Sequence, residues 1–138
     1  MIKLLTMLAA VSMANVDIGP LLRAQGFGAL INGREAISYV GQIRQGKNSY
    51  QIYSYRGRFK TAIVDHGVNW LIVIQNGSIL LGGYQIPMPA DCKVHGQIVV
   101  CNTGAPGVVE FTKRGPPREI LFDGEVLQFE HGTVPKAS

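Results

Sequence analysis

Tyrosines and cations cluster in one short stretch near the middle of the chain. The dipeptide Arg56-Gly57 is typical of a two-residue hairpin turn, because glycine readily adopts the positive φ that such a turn requires. The register around this turn places Tyr53 opposite Lys60 and Tyr55 opposite Arg58. Aromatic rings beside cations can stack on bases or sugars and neutralise anions. We therefore predict a binding surface made of Tyr53, Tyr55, Arg58 and Lys60. The alternative is a solvated hairpin whose cations protect a sheet edge and whose tyrosines pack.

The cysteines form a second informative pair. If Gly96-Gln97 is a two-residue turn, Cys92 lies opposite Cys101 in a non-hydrogen-bonded pair, where Cα atoms are about 4.5 Å apart. That separation allows a disulfide bond. Two buried free thiols are the alternative. Because oxidising compartments maintain disulfides, the bridge indicates a protein outside the cytoplasm.

The histidines do not form a recognisable catalytic or metal-binding pattern. Asp65 and His66 are adjacent, but consecutive side chains of an extended strand point to opposite faces. The sequence contains no H-E-x-x-H, C-x-x-C or G-x-S-x-G motif. We therefore predict no metal site, no cofactor and no enzymatic activity. A small hydrolase that uses His66 and Asp65 is kept as an alternative, since a triad is defined by geometry rather than by order.

The first residues have the order of a secretory signal peptide. Lys3 supplies a positive charge, residues 4–13 form an apolar run, and Ser12 and Ala14 suit cleavage after Ala14. The run is shorter than the roughly 20 residues of a transmembrane helix. A buried N-terminal helix or strand is the alternative. We expect a mature chain that begins at Asn15 and is periplasmic or secreted.

Composition limits the class of protein. A chain of 138 residues with 46% hydrophobic and 16% charged residues predicts one domain with its own core and excludes a disordered protein. A net charge of +4 permits contact with nucleic acid, anionic glycan or a membrane surface without requiring it. Nucleic acid becomes the leading partner only if the chain stays in the cytoplasm.

Dipeptides that are typical of tight turns recur between strand-like segments. The strands that these turns connect must position the tyrosines, cations and cysteines described above. The signals are Gly46-Lys47, Arg56-Gly57, Asn76-Gly77, Gly96-Gln97 and Asp123-Gly124. They predict an all-β protein, an antiparallel meander of about 8–10 short strands that closes as a small barrel or a two-sheet sandwich. The predicted strands lie near 36–44, 48–55, 58–64, 68–75, 78–86, 91–95, 98–102, 107–113, 118–122 and 125–130.

The middle strands are apolar on both faces. Residues 71–74 and 79–81 do not alternate with polar residues, which indicates a central position in the sheet or an interface. A two-residue turn at Asn76-Gly77 places Trp70 opposite Gly83, where the absent side chain leaves room for the indole. We therefore expect Trp70 to have a structural role.

The chain divides into four predicted parts. These are the cleaved signal peptide 1–14, a lead-in 15–35 with a possible short helix, a β-domain 36–132 and a tail 133–138. The predicted function is an exported, non-enzymatic binding domain, such as an inhibitor or an envelope-associated protein, whose partner is a protein or an anionic polymer. A lipocalin-like carrier is the first alternative and requires an empty lumen of roughly a few hundred Å³. The small hydrolase is the second.

Overall fold

The structure is a computed structural model that describes residues 20, 36–60, 65–87, 90–102 and 107–131. The side chains of residues 36, 58–60 and 65–68 are not described. The predicted signal peptide 1–14 and the tail 133–138 lie outside these residues, and so does the lead-in 15–35 apart from the exposed Pro20.

The described chain is all-β, as predicted, and its strands pair antiparallel in three sheets. The largest sheet has five strands in the order β1-β2-β3-β4-β10, the second has the order β5-β6-β7, and β8 pairs with β9. No hydrogen-bonded ladder closes the described strands into a barrel. The strands are β1 (Ala36–Gln45), β2 (Asn48–Lys60), β3 (Asp65–Gln75), β4 (Ile79–Ile86), β5 (Asp91–His95), β6 (Ile98–Asn102), β7 (Gly107–Glu110), β8 (Glu119–Phe122), β9 (Glu125–Gln128) and β10 (Glu130–His131).

Three of the predicted two-residue turns are confirmed. Gly46 and Gly96 have φ values of 59° and 61°, which suits the first position of a type II′ turn. Asp123 and Gly124 both have positive φ, at 49° and 83°, as a type I′ turn requires. These turns close the β1–β2, β5–β6 and β8–β9 hairpins, because the flanking residues are cross-strand partners in each case.

The predicted turn at Arg56-Gly57 is wrong. β2 continues through both residues to Lys60, and Gly57 pairs with Val68 of β3. A Cβ on Gly57 would overlap the Tyr55 ring, with 2.7 Å to the nearer ring carbon Cε1. The glycine therefore makes room for an aromatic ring lying along the same strand, which is a packing role and not a turn.

The predicted register of the next hairpin is also wrong. The loop contains three residues, Asn76–Ser78, and Leu81 is an extra residue between the pairs Ile74–Leu80 and Val73–Gly82. As a result Trp70 lies opposite Gln85, and Ile72 lies opposite Gly83. The loop and the bulge together shift the register by two residues from Gly82 onward, so these residues keep their predicted face, whereas Ile79 and Leu80 are shifted by one and exchange faces.

The five-stranded sheet is buried on both faces, as the apolar middle strands predicted. One face packs against the two smaller sheets in a core that contains side chains from all three sheets. The other face carries a second buried cluster that includes Trp70 and Ile72 of the central strand β3. The first core consists of Ile43, Tyr50, Ile52, Leu71, Val73, Tyr84, Ile86, Cys92, Val99, Cys101, Val109, Phe111, Ile120, Phe122 and Phe129.

The predicted disulfide is confirmed. Cys92 and Cys101 are cross-strand partners in the β5–β6 hairpin and form a bond with an S–S distance of 2.10 Å. Their Cα atoms are 4.0 Å apart, and both side chains belong to the first core. The bridge therefore joins the two strands whose inner face covers the large sheet.

Candidate functional site

The tyrosines of the predicted binding surface are buried. Tyr53 is 4% exposed and Tyr55 is 1% exposed. Because β2 does not turn back at Gly57, the neighbours of these tyrosines come from β3, where Tyr53 pairs with Ile72 and Tyr55 with Trp70. The Tyr53 ring also lies edge-on to Tyr39 of β1, at 5.5 Å between ring centroids. Both tyrosines therefore belong to the second buried cluster.

The opposite face of β2 opens onto a polar cleft. Ser54 and the exposed Arg56 line a cleft of about 350 Å³, which β1 and the start of β5 complete. We call it the Arg56 cleft. The residues that line it are Ser38, Tyr39, Val40, Ser54, Arg56, Ala90, Asp91 and Cys92. Ser38 and Ser54 are direct cross-strand partners, so two hydroxyl groups lie side by side at one wall.

The other predicted cations continue along the same strand. Arg58 and Lys60 occupy the positions two and four residues beyond Arg56, and their backbones pair with Gly67 and Asp65. The predicted pairs Tyr53–Lys60 and Tyr55–Arg58 are therefore wrong. In place of one mixed surface, buried tyrosines and the exposed Arg56 lie on opposite faces of β2.

The charges at the cleft are available to a ligand. Arg56 and the exposed Asp91 both line it, and no salt bridge joins them among the described residues. Asn69 is the cross-strand partner of Arg56 on β3, and its buried Oδ1 accepts no hydrogen bond within the described part of the chain. Burial raises the pKa of the Tyr39 hydroxyl above its usual value, so this group is neutral at physiological pH, as an ordinary tyrosine also is.

The lining of the cleft offers both hydrogen-bond donors and an acceptor. The Arg56 guanidinium and the serine hydroxyls can donate hydrogen bonds to an anionic group, while Asp91 can accept them from hydroxyl or amino groups. His66 follows Asp65 within β3, and the side chains of both are outside the description. The described residues contain no group of three or more His, Cys, Asp or Glu side chains that could hold a metal ion.

Sequence reasoning assigned Arg56 to a turn and missed Ser38, Ser54 and Asp91. The sequence did contain a signal that Arg56 lies within a continuous strand, because aromatic and polar residues alternate strictly on both sides of Gly57. Positions 53, 55 and 59 are aromatic, while positions 54, 56, 58 and 60 are polar or cationic. That period of two is typical of one continuous strand. No local pattern connects Asp91 with β2, since the two meet only in the tertiary structure.

Comparisons with known protein families, curated proteins and solved structures found no match. The function must therefore be argued from the site itself. Among the described residues, no helix has the length and apolar character needed to cross a membrane.

Proposed function

We propose that the protein is an exported, non-enzymatic β-domain that binds a macromolecule with an anionic surface. The Arg56 cleft and the cationic end of β2, with Arg58 and Lys60, form the binding site. The partner is a protein or an anionic polymer of the envelope or the extracellular space.

The observation that carries this proposal is the environment of the Arg56 side chain, namely its exposure and its ion pairing. Its side chain is exposed at the mouth of a cleft and has no ion-pair partner among the described residues. Two further cations follow at alternate positions of the same strand. Consecutive alternate positions are about 6.8 Å apart, which suits a repeating anionic chain better than a single small anion.

The disulfide supports the export part of the proposal. A bridge between neighbouring strands persists in the periplasm or outside the cell, whereas the cytoplasm keeps thiols reduced. The apolar run at residues 4–13, preceded by Lys3, suits a signal peptide. Both observations point to the same compartment.

The filled interior and the open clefts favour a binding surface over the two alternative functions, a small-ligand carrier and a hydrolase. Fifteen buried side chains fill the space between the large sheet and the smaller sheets. The clefts found among the described residues open to the surface, and the Arg56 cleft holds donors and one carboxylate without a histidine. A carrier needs an enclosed apolar cavity, and a hydrolase needs a nucleophile beside a base.

Affinity for an anionic polymer tests the proposed site. We expect the full chain to bind dextran sulfate but not neutral dextran, and to bind more weakly as salt rises. The variant Arg56→Ser/Arg58→Ser should lose most of this affinity at low salt. The control Lys113→Ser/Arg114→Ser removes the same charge from the exposed turn after β7 and should bind almost as well as the wild type.

Equal losses in the two variants would show that net charge alone attracts the polymer. Affinity that does not change with salt would also contradict the proposed site. The mass of the chain from its native host tests export separately, since a start at Asn15 indicates cleavage and a full-length chain indicates retention.

A further inference from the structure

The outer surface of the two small sheets carries a row of exposed apolar side chains. Val108 is 43% exposed, Leu121 63% and Val126 62%. Leu121 and Val126 are direct cross-strand partners on β8 and β9. Val108 and Leu121 both line a groove of about 330 Å³ between β7 and β8. Adjoining exposed apolar side chains of this kind mark interaction surfaces in soluble proteins.

The groove exists because β7 and β8 are not joined. Within residues 107–131 the sheet of β7 ends at that strand, and β8 pairs only with β9. The strands still pack below the groove, since a Cβ on Gly107 would meet the Phe122 ring at 2.8 Å from Cε2. The floor is therefore closed by the core, and the groove opens outward.

Two carboxylates border the groove beside the apolar residues. Glu110 follows Val108 by two positions on β7, and Glu119 precedes Leu121 by two positions on β8. Glu119 accepts a hydrogen bond of 2.9 Å from Gln128 Nε2, while Glu110 has no salt bridge within the described residues. Two residues of a strand span about 6.8 Å. The two glutamates are therefore one such repeat away from the apolar pair Val108 and Leu121.

We propose that this groove binds an extended segment of a partner protein in which a lysine or arginine and an apolar residue are two positions apart. The cation would lie between Glu110 and Glu119, and the apolar side chain would cover Val108 and Leu121. An extended peptide presents alternate side chains on one face with this same repeat, so its geometry matches the groove.

The charges argue for such a partner and against a second copy of this chain. A twofold contact through the same surface would bring Glu110 and Glu119 of one copy towards those of the other. Like charges that meet at an interface are unfavourable, whereas a cationic segment is complementary. The groove is also distinct from the Arg56 cleft, since the two share no lining residue. The inference therefore does not depend on the proposed anionic partner.

Peptide binding to the full chain tests the groove. The probe is a labelled, end-blocked peptide of three Lys-Thr-Leu-Thr repeats, and fluorescence anisotropy at low salt measures its affinity. One matched peptide carries Glu for each Lys, and a second carries Ala for each Leu. The peptides are measured on the wild type and on Arg56→Ser/Arg58→Ser, which removes the proposed anion site. In that variant we expect binding of the Lys peptide, no binding of the Glu peptide, and a weaker affinity for the Ala peptide.

Variants then locate the site. Glu110→Gln/Glu119→Gln should weaken binding about fivefold to tenfold, because two exposed charge contacts are lost. Leu121→Ser should also weaken it, while Glu125→Gln removes an exposed carboxylate that does not line the groove and should have no effect. Circular dichroism checks that each variant is folded.

Three outcomes would overturn the proposal. They are equal binding of the Lys and Glu peptides to Arg56→Ser/Arg58→Ser, equal losses for the groove variants and Glu125→Gln, and no binding of the Lys peptide. Sedimentation of the wild type and of Leu121→Ser adds a further test. A dimer that dissociates in this variant would assign the surface to a second copy.

Discussion

Reduction of the Cys92–Cys101 disulfide should destabilise the protein by a predictable amount. The two cysteines are separated by nine positions in sequence, and the bond closes one short hairpin. In the chain-entropy model the closed loop restricts the unfolded state, and a loop of this length gives about 2.6 kcal/mol at 25 °C. The free energy of unfolding should fall by about that amount.

The corresponding change in melting temperature follows from the size of the chain. An unfolding entropy of about 2.1 cal/mol/K per residue makes the shift about 9 °C for a chain of this length. Thermal unfolding followed by circular dichroism, with and without a phosphine reductant, measures it. A mass increase of two hydrogens confirms that the bond has been reduced. The variant Cys92→Ala/Cys101→Ala is the control and should not respond to the reductant.

Two results would refute this reasoning. An unchanged midpoint in fully reduced protein would mean that the bond removes little entropy from the unfolded chain, because the unfolded chain already retains structure in this hairpin. A loss much greater than about 2.6 kcal/mol would mean that reduction also disrupts packing in the folded state, where Cys101 is fully buried.

Further predictions concern Gly83 and Tyr84 of β4. A Cβ on Gly83 would overlap the Leu71 carbonyl oxygen, and because backbone atoms cannot move aside, Gly83→Ala should cost about 1–3 kcal/mol in urea unfolding. Gly124→Asn is its control, since the second position of that type I′ turn has open space and a left-handed backbone that asparagine tolerates; equal losses in the two variants would contradict the close contact. Tyr84 donates a hydrogen bond of 2.5 Å to the Pro117 carbonyl, so Tyr84→Phe should cost about 1 kcal/mol at neutral pH. Burial raises the pKa of Tyr84 above its usual value, so its contribution is full below about pH 10 and is lost at higher pH. Stability measured from pH 8 to 11.5 should therefore fall less steeply in Tyr84→Phe, and parallel curves would refute this assignment.

Local sequence was sufficient to predict three of the hairpins and the disulfide. Gly46-Lys47, Gly96-Gln97 and Asp123-Gly124 were correctly assigned because positive φ is a property of a few residues and needs no distant contact. Once the turn at Gly96 is known, the pairing of Cys92 with Cys101 follows by counting along the strands. The apolar run in β3 likewise predicted a strand buried on both faces.

The same kind of turn signal gave a wrong prediction at Gly57, where the glycine has a packing role. Gly57 has the sequence context of a turn, but the structure uses it to accommodate the Tyr55 ring within a strand of thirteen residues. The glycine alone does not separate these two roles, because both depend on the missing side chain, whereas the alternation of residues 53–60 indicates the continuous strand. The error changed the predicted site, since it placed the tyrosines and cations on one face.

Only the tertiary structure brought together the two candidate surfaces. The Arg56 cleft needs Asp91 of β5 beside β2, and the outer groove needs β7 and β8 to pack without forming a ladder. Such contacts depend on how whole sheets pack, whereas turns and strand alternation depend on residues that are close in sequence. The sequence by itself therefore determined the all-β class, three of the five predicted turns and the disulfide, and the packing of the sheets decided which side chains reach the surface together.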